Sequence, residues 1–260
     1  MKILNKLYNW SSSWTGTVVI VLVIIFFIAQ AFVIPSGSMK NSLLIGDMLF
    51  VKKFSYGVPT PTLPWVEVEI LPDFDGDGHL FSADGPSRGD ITVFRYPHDK
   101  KIHYVKRCVA VEGDILFLKD KKLYLHPHQG DEYIKKEYKD QTLVTIDDML
   151  FVVEPYKTIH KGIHYDQNVT RESSPHMELF DFGPIQVPKG SYFMMGDNRD
   201  HSNDSRFWGV VPYKFIVGKP WFVYFSWDKD RKIRWQRVFK STKQLEQLDS
   251  YKSEHKDGIY

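Results

Sequence analysis

Three segments of the chain carry side chains able to do chemistry. The first is IPSGSM, Ile34 to Met39, in which Pro35 ends a preceding apolar run and Gly37 permits a tight backbone path, so Ser36 and Ser38 are held on a bend. A serine hydroxyl becomes a nucleophile only with a base beside it. By itself this segment equally fits a capped, solvated linker. The second is Lys106 in IHYVKRCVAV. At the period of a strand, Ile102, Tyr104, Lys106, Cys108 and Ala110 share one face, and His103, Val105, Arg107, Val109 and Val111 share the other. Lys106 is then the only charge on a mostly apolar face. Desolvation there disfavours the ammonium and leaves a neutral amine that can take a proton. An edge lysine that snorkels to water has the same pattern. The third is GDNRDHSNDSRFWG, Gly196 to Gly209, a dense run of hydrogen-bonding side chains between the apolar YFMM and WGVVP. Its plain reading is a charged surface turn, but its apolar flanks fit a buried polar network.

The elements that must position these side chains divide the chain unevenly. Trp14 to Ile34, WTGTVVIVLVIIFFIAQAFVI, carries no charge and as one helix would span the roughly 30 Å hydrocarbon core of a bilayer. Lys2 and Lys6 precede it, a flank that favours keeping residues 1–13 in the cytoplasm and placing the long C-terminal part on the extracytoplasmic side. A cleavable secretory signal is the competing reading, since Ala29, Gln30 and Ala31 form an A-x-A site. Both export the remainder of the chain.

Beyond Pro35 no long helical periodicity appears before Trp227. Short β-branched and aromatic runs occur instead at residues 48–51, 90–95, 103–111, 115–118, 122–125, 150–153, 191–195 and 220–227, separated by Gly, Pro and Asp. They predict a mainly β fold: a core over 35–118 and 189–227 as an antiparallel sheet, with a β-rich lobe inserted at 119–188. The final segment, 228–260, ends in a polar stretch from Lys240 with the composition of an exposed tail, partly helical at Ser241 to Leu248. A net charge of +2, with lysines scattered among acids, excludes a basic nucleic-acid footprint. The single cysteine, Cys108, excludes an internal disulfide and thiolate metal clusters.

Taken in order after one N-terminal span, these segments resemble the type I signal peptidases, the bacterial leader peptidases. The matching stretches are IPSGSM with LLIGD, RGDITVFRYP, YVKR with GD, and GDNRDHSNDSRFWG. The likeness runs from the anchor to about Trp227, with a poorly matching middle lobe. It implies a membrane-bound serine endopeptidase that removes signal peptides from exported preproteins after small residues. Ser38 falls at the nucleophile and Lys106 at the general base, a Ser-Lys dyad with no cofactor. Ser36 falls at an oxyanion-hole hydroxyl acting with the Ser38 backbone N–H. Ser202 matches the hydroxyl that orients the lysine, Asp204 and Arg206 a supporting ion pair, and Asp197 is placed to pair with Arg107. Phe32, Ile34, Met39, Leu43, Leu49, Val93, Tyr104 and Val105 fall in the substrate groove, whose narrow apolar pockets would reject large side chains by overlap. The implied partners are preproteins, membrane lipid, with PWFVYFSW (220–227) a lipid-resting or sheet-packing run, and export machinery.

Other readings compete. Asp73, Asp75, Asp77, Gly78 and Asp84 have the spacing of a calcium loop but end in Asp where Glu is usual, and a solvated Asp/Gly turn is the simpler expectation. The Ser-x-x-Lys and Lys-Thr-Gly chemistry of penicillin-binding enzymes does not fit, since these serines give Ser36-x-x-x-Lys40 and Ser38-x-Lys40 and no Lys-Thr-Gly occurs. Lys40, close to Ser38 on an exposed bend, would stay hydrated and charged, which makes it a poorer base than Lys106. A non-enzymatic single-pass protein with a partner-binding outer β-domain is the alternative of a different class.

Overall fold

Period-two alternation between Asp47 and Ser226 produces strands with largely apolar inward residues, and there the computed structural model, which describes residues 2–62, 70–73 and 75–248, builds every strand but the first. The strands are β1 (Ala29–Val33), β2 (Asp47–Lys52), β3 (Gly57–Pro59), β4 (His79–Ser82), β5 (Ile91–Tyr96), β6 (Asp99–Ala110) and β7 (Ile115–Lys119). They continue as β8 (Lys122–His126), β9 (Leu143–Ile146), β10 (Met149–Val153), β11 (Phe182–Gln186), β12 (Ser191–Met195), β13 (Val211–Pro212) and β14 (Ile216–Ser226). Seven form one sheet in the order β1-β2-β14-β5-β6-β12-β13, five form a second in the order β11-β7-β8-β10-β9, and β3 pairs with β4. The paired strands run antiparallel, so the mainly β, antiparallel expectation holds.

The second sheet begins at Ile115, ahead of the composition shift at Lys119, because Leu116 and Leu118 turn inward with Leu123, Leu125 and Val152. These side chains share one core with Val109, Ala110, Phe193 and Met195 of the larger sheet, so the lobe has no separate core. A second apolar cluster holds Ile34, Met39, Leu43, Leu49, Val93 and Val223, beneath the segment that carries Ser38.

Residues 14–34 do not form a single helix. After α1 (Lys2–Ser11), α2 (Trp14–Val23) is capped by Ser13 and passes into a π turn, Ile24–Ile28. Ala29 to Val33 then leaves the helix as β1, in register with β2 from Ala29 opposite Lys52 to Val33 opposite Met48. Pairing with β2 satisfies the backbone of these residues. Lys53 reinforces the exit: its backbone N–H donates to the Ile28 carbonyl at 3.1 Å and its buried Nζ to the Phe26 carbonyl at 3.3 Å, a cation at a helix C-terminus. Among the described residues no helix is long and apolar enough to cross a membrane. Val18 to Ile25 nevertheless expose their apolar side chains around the helix.

The polar C-terminal stretch is also not simply an exposed tail. The backbone of Lys240 and Phe239 pairs with Val223 of β14, and a Ser241/Gln244 capping box starts α5 (Thr242–Leu245). Leu245 is fully buried in the cluster beneath Ser38, and Glu246 is buried beside it.

Candidate active site

Ser38 lies in a one-turn 3₁₀ segment, Gly37–Met39, entered from extended backbone at Ser36. The Lys40 N–H closes the turn on the Gly37 carbonyl at 3.0 Å, and the Leu43 N–H reaches the Met39 carbonyl at 2.7 Å. Met39, buried in the apolar cluster, pins the turn to the sheet. The loop opening at Gly196 clamps it from above. Asn198 donates its backbone N–H to the Ser38 carbonyl and its Nδ2 to the Gly37 carbonyl, both at 3.1 Å.

Lys106 reaches this turn from β6, opposite Thr92 of β5. Its Nζ lies 2.7 Å from Ser38 Oγ and 3.2 Å from the Val105 carbonyl, and 5.0 Å from the centre of the Tyr104 ring. The side chain is 3% exposed. Burial pushes its pKa from an ordinary 10.5 down to about 8; Asp204 and Asp197 oppose that fall, and Arg206 adds to it. A buried amine with this proton affinity is partly neutral near neutral pH and can accept the Ser38 proton. Ser36 Oγ is 3.4 Å from Ser38 Oγ, on the solvent side of the pair.

Two buried ion pairs frame the dyad. Arg206 grips Asp204 with Nε and Nη2, each at 2.8 Å, while Asp204 Oδ2 also accepts the Gly196 N–H at 2.9 Å. Burial alone would raise the Asp204 pKa, but Arg206 and the Gly196 amide hold it below the usual carboxylate range. Arg107, which points to the other side of β6, grips Asp197 at 2.8 and 2.7 Å and donates to the Gly89 carbonyl at 2.6 Å. Asp197 likewise stays below its ordinary value, with Arg107 and the Ser42 hydroxyl overcoming burial. The lobe supports the same loop: the His164 N–H donates to the Asp197 carbonyl at 2.9 Å, and the Asp166 N–H to Asp200 Oδ2 at 2.7 Å.

Ser202 is buried on this loop beside Gly196, its Oγ close enough to Asp204 to help lower that carboxyl but outside good hydrogen-bond geometry. The Lys106 amine is directed to Ser38 and the Val105 carbonyl, so the expected lysine-orienting contact from Ser202 is not formed in this arrangement. The space is tight: a methyl group on Gly196 would lie 2.2 Å from Ser202 Oγ and 2.5 Å from the Ser38 carbonyl oxygen. Of the eight residues expected in a substrate groove, Ile34, Met39, Leu43, Leu49 and Val93 are buried core, while Phe32, Tyr104 and Val105 keep partly open surface. The Asp73 to Asp84 stretch turns carboxylates onto its own backbone, Asp73 accepting from the Gly76 and Gly78 N–H groups at 2.9 Å each. Among the described residues no group of three or more His, Cys, Asp or Glu side chains is placed to hold a metal ion.

Sequence reasoning missed several members of the site. Asn198, within GDNRDHSNDSRFWG, is one: its type alone does not single it out as the residue that holds the Ser38 turn. Asp47, in LLIGD, makes a fully buried pair with Arg237 at 2.9 and 2.6 Å and accepts the Ser226 hydroxyl at 2.7 Å. An acid immediately before the apolar strand MLFV was the available signal. Glu246 and His160, discussed below, gave none.

A hydroxyl held against a desolvated amine on an antiparallel β framework defines a site for acyl transfer by a serine hydrolase. Comparison with known proteins gives the family. A family model described as "Signal peptidase, peptidase S26" matches residues 7–227. Signal peptidase I of Helicobacter pylori (strain ATCC 700392 / 26695) is 45% identical, covering 95% of this chain and 97% of that protein. Signal peptidase I of Pseudomonas fluorescens is 36% identical over 88% of this chain and 77% of its own length, and that of Pseudomonas aeruginosa 34% identical over 86% and 75%. The chain belongs to the signal peptidase I family, serine endopeptidases that act on signal-peptide-bearing preproteins.

Proposed function

We propose that Ser38 is the nucleophile and Lys106 the general base of this peptidase. The observation that carries the reading is the 2.7 Å approach of Lys106 Nζ to Ser38 Oγ in a buried, mostly apolar setting. The neutral amine takes the Ser38 proton as Oγ attacks the scissile carbonyl. The Ser38 N–H and the Ser36 hydroxyl receive the developing oxyanion. The Lys106 ammonium then gives its proton to the leaving amine, which frees the mature protein and leaves the signal peptide acylated on Ser38. Water, deprotonated by the regenerated amine, releases the peptide. Asp204 with Arg206 and Asp197 with Arg107 hold the loop over the dyad, and Ser202 stands next to it as a second hydroxyl for the amine after a small side-chain rotation.

The substrate lies extended across Phe32, Tyr104 and Val105, with Ile34, Met39, Leu43, Leu49 and Val93 forming the floor that limits the first and third positions before the cut to small side chains. The exposed apolar helix from Trp14, continued by the π turn, is the membrane anchor, and Lys6 on its short flank favours a cytoplasmic N-terminus and an extracytoplasmic catalytic domain. Its helical length, about 22 Å, is short of a full hydrocarbon core, so anchoring needs local thinning of the bilayer or immersion of β1. Lipid and export machinery are thus the neighbours of the enzyme at work. Processing of a preprotein by the full chain in membranes is the test: Ser38→Ala and Lys106→Ala each abolish cleavage, whereas wild-type rates in either variant refute the dyad.

A further inference from the structure

The family match ends at residue 227, but the chain beyond it reaches under the active site. Arg237 is fully buried against Asp47 and donates to the Ser42 carbonyl at 3.3 Å. Leu245 is fully buried in the cluster with Met39, the last residue of the Ser38 turn, and Leu43, which follows it. Glu246 Oε1 accepts from Arg107 Nη2 at 2.5 Å, and its Oε2 lies 2.9 Å from His160 Nδ1 of the lobe. Arg107 is the residue after Lys106, and the same Nη2 that meets Glu246 also meets Asp197. Asp197 in turn accepts the Ser42 hydroxyl and precedes Asn198, whose two hydrogen bonds hold the Ser38 turn.

We infer that the segment from Arg237 to Glu246 is a positioning element of the active site, with Glu246 the positioning residue that fixes Arg107 and, through it, the placement of Lys106 and the Asp197–Asn198 clamp on Ser38. Arg107 faces two carboxylates. Asp197 and the Gly89 carbonyl hold the guanidinium from the loop and sheet side, and Glu246, itself held by His160, adds the second carboxylate that ties it to the C-terminal segment and the lobe. Side chains held in fixed rotamers by a buried hydrogen-bonded network keep a reacting pair in register. The inference rests on the Ser38–Lys106 reading and adds the residues that hold its geometry.

The test is preprotein cleavage by the full chain carrying Glu246→Gln, Glu246→Asp or Glu246→Ala, with thermal melting of each variant and Ser38→Ala in parallel. Glu246→Ala is expected to lower kcat about 10- to 100-fold, the range that a small misplacement of a reacting group produces, with KM little changed because the groove residues are untouched. Glu246→Asp, which keeps the charge, should recover part of the loss, and Glu246→Gln less. Wild-type kcat in folded Glu246→Ala overturns the inference, as does a loss that disappears once activity is normalised to the folded fraction. Activity remaining in Ser38→Ala would instead strike the nucleophile assignment, independently of Glu246.

Discussion

Burying Lys106 serves catalysis at the expense of stability, and the size of that conflict can be worked out. The amine falls from an ordinary 10.5 to about 8 because the folded protein desolvates it. At about 1.4 kcal/mol per tenfold change in proton affinity, holding the charged form in the fold at neutral pH costs about 3 kcal/mol. Between pH 8 and 10.5 the unfolded chain binds the proton and the folded chain does not, so stability rises with pH across that window and the penalty is fully present below it. Lys106→Met keeps the apolar stem and removes the charge. It should stabilise the protein by about 2–3 kcal/mol near pH 7, somewhat less than the full penalty because the contact with Ser38 is lost, and should be inactive. Each kcal/mol moves Tm by roughly 2–4 °C in a chain of this size. Thermal melts of wild type and variant at pH 7 and pH 10 are the assay, and the gain should shrink at the higher pH. A variant less stable than wild type at pH 7, or a gain independent of pH, refutes the reasoning.

Arg107→Met leaves Asp197 and Glu246 buried without their cation and should destabilise the fold by about 3–5 kcal/mol in a denaturant titration. Ser36→Ala removes the hydroxyl proposed to donate to the oxyanion and should lower kcat about 100-fold with normal melting, measured on a purified preprotein. Gly196→Ala forces a methyl against the backbone oxygen of Ser38, 2.5 Å away, and should cut processing at least about tenfold even where the variant folds.

The sheet residues were legible because alternation of apolar and polar side chains survives translation into strands: each of the eight expected runs lies in or overlaps a strand of the fold. Lys106 was legible for the same reason, as a lone charge on an apolar face. β1 was not, since AQAFV continues an uncharged, mostly apolar run in which helix and strand leave no distinct period, and only its pairing with β2 decides the outcome. Short strands such as Gly57–Pro59 and Val211–Pro212 owe their conformation to partners distant in sequence. Glu246 and His160 could not be paired from sequence at all. A glutamate in a polar stretch is ordinarily solvated, and its burial here follows from Leu245 docking beside Met39 and carrying its neighbour onto Arg107.

The central claim, a serine activated by a neutral lysine, is tested most directly by the pH dependence of kcat/KM for preprotein cleavage, measured on wild type and Lys106→Arg. Because only the neutral amine can accept the Ser38 proton, wild-type kcat/KM should rise about tenfold per pH unit in the acidic range and level off above about 8. Arginine remains charged throughout, so the variant should be inactive at every pH. A flat wild-type profile between about pH 6 and 9, or cleavage by Lys106→Arg, would contradict the account.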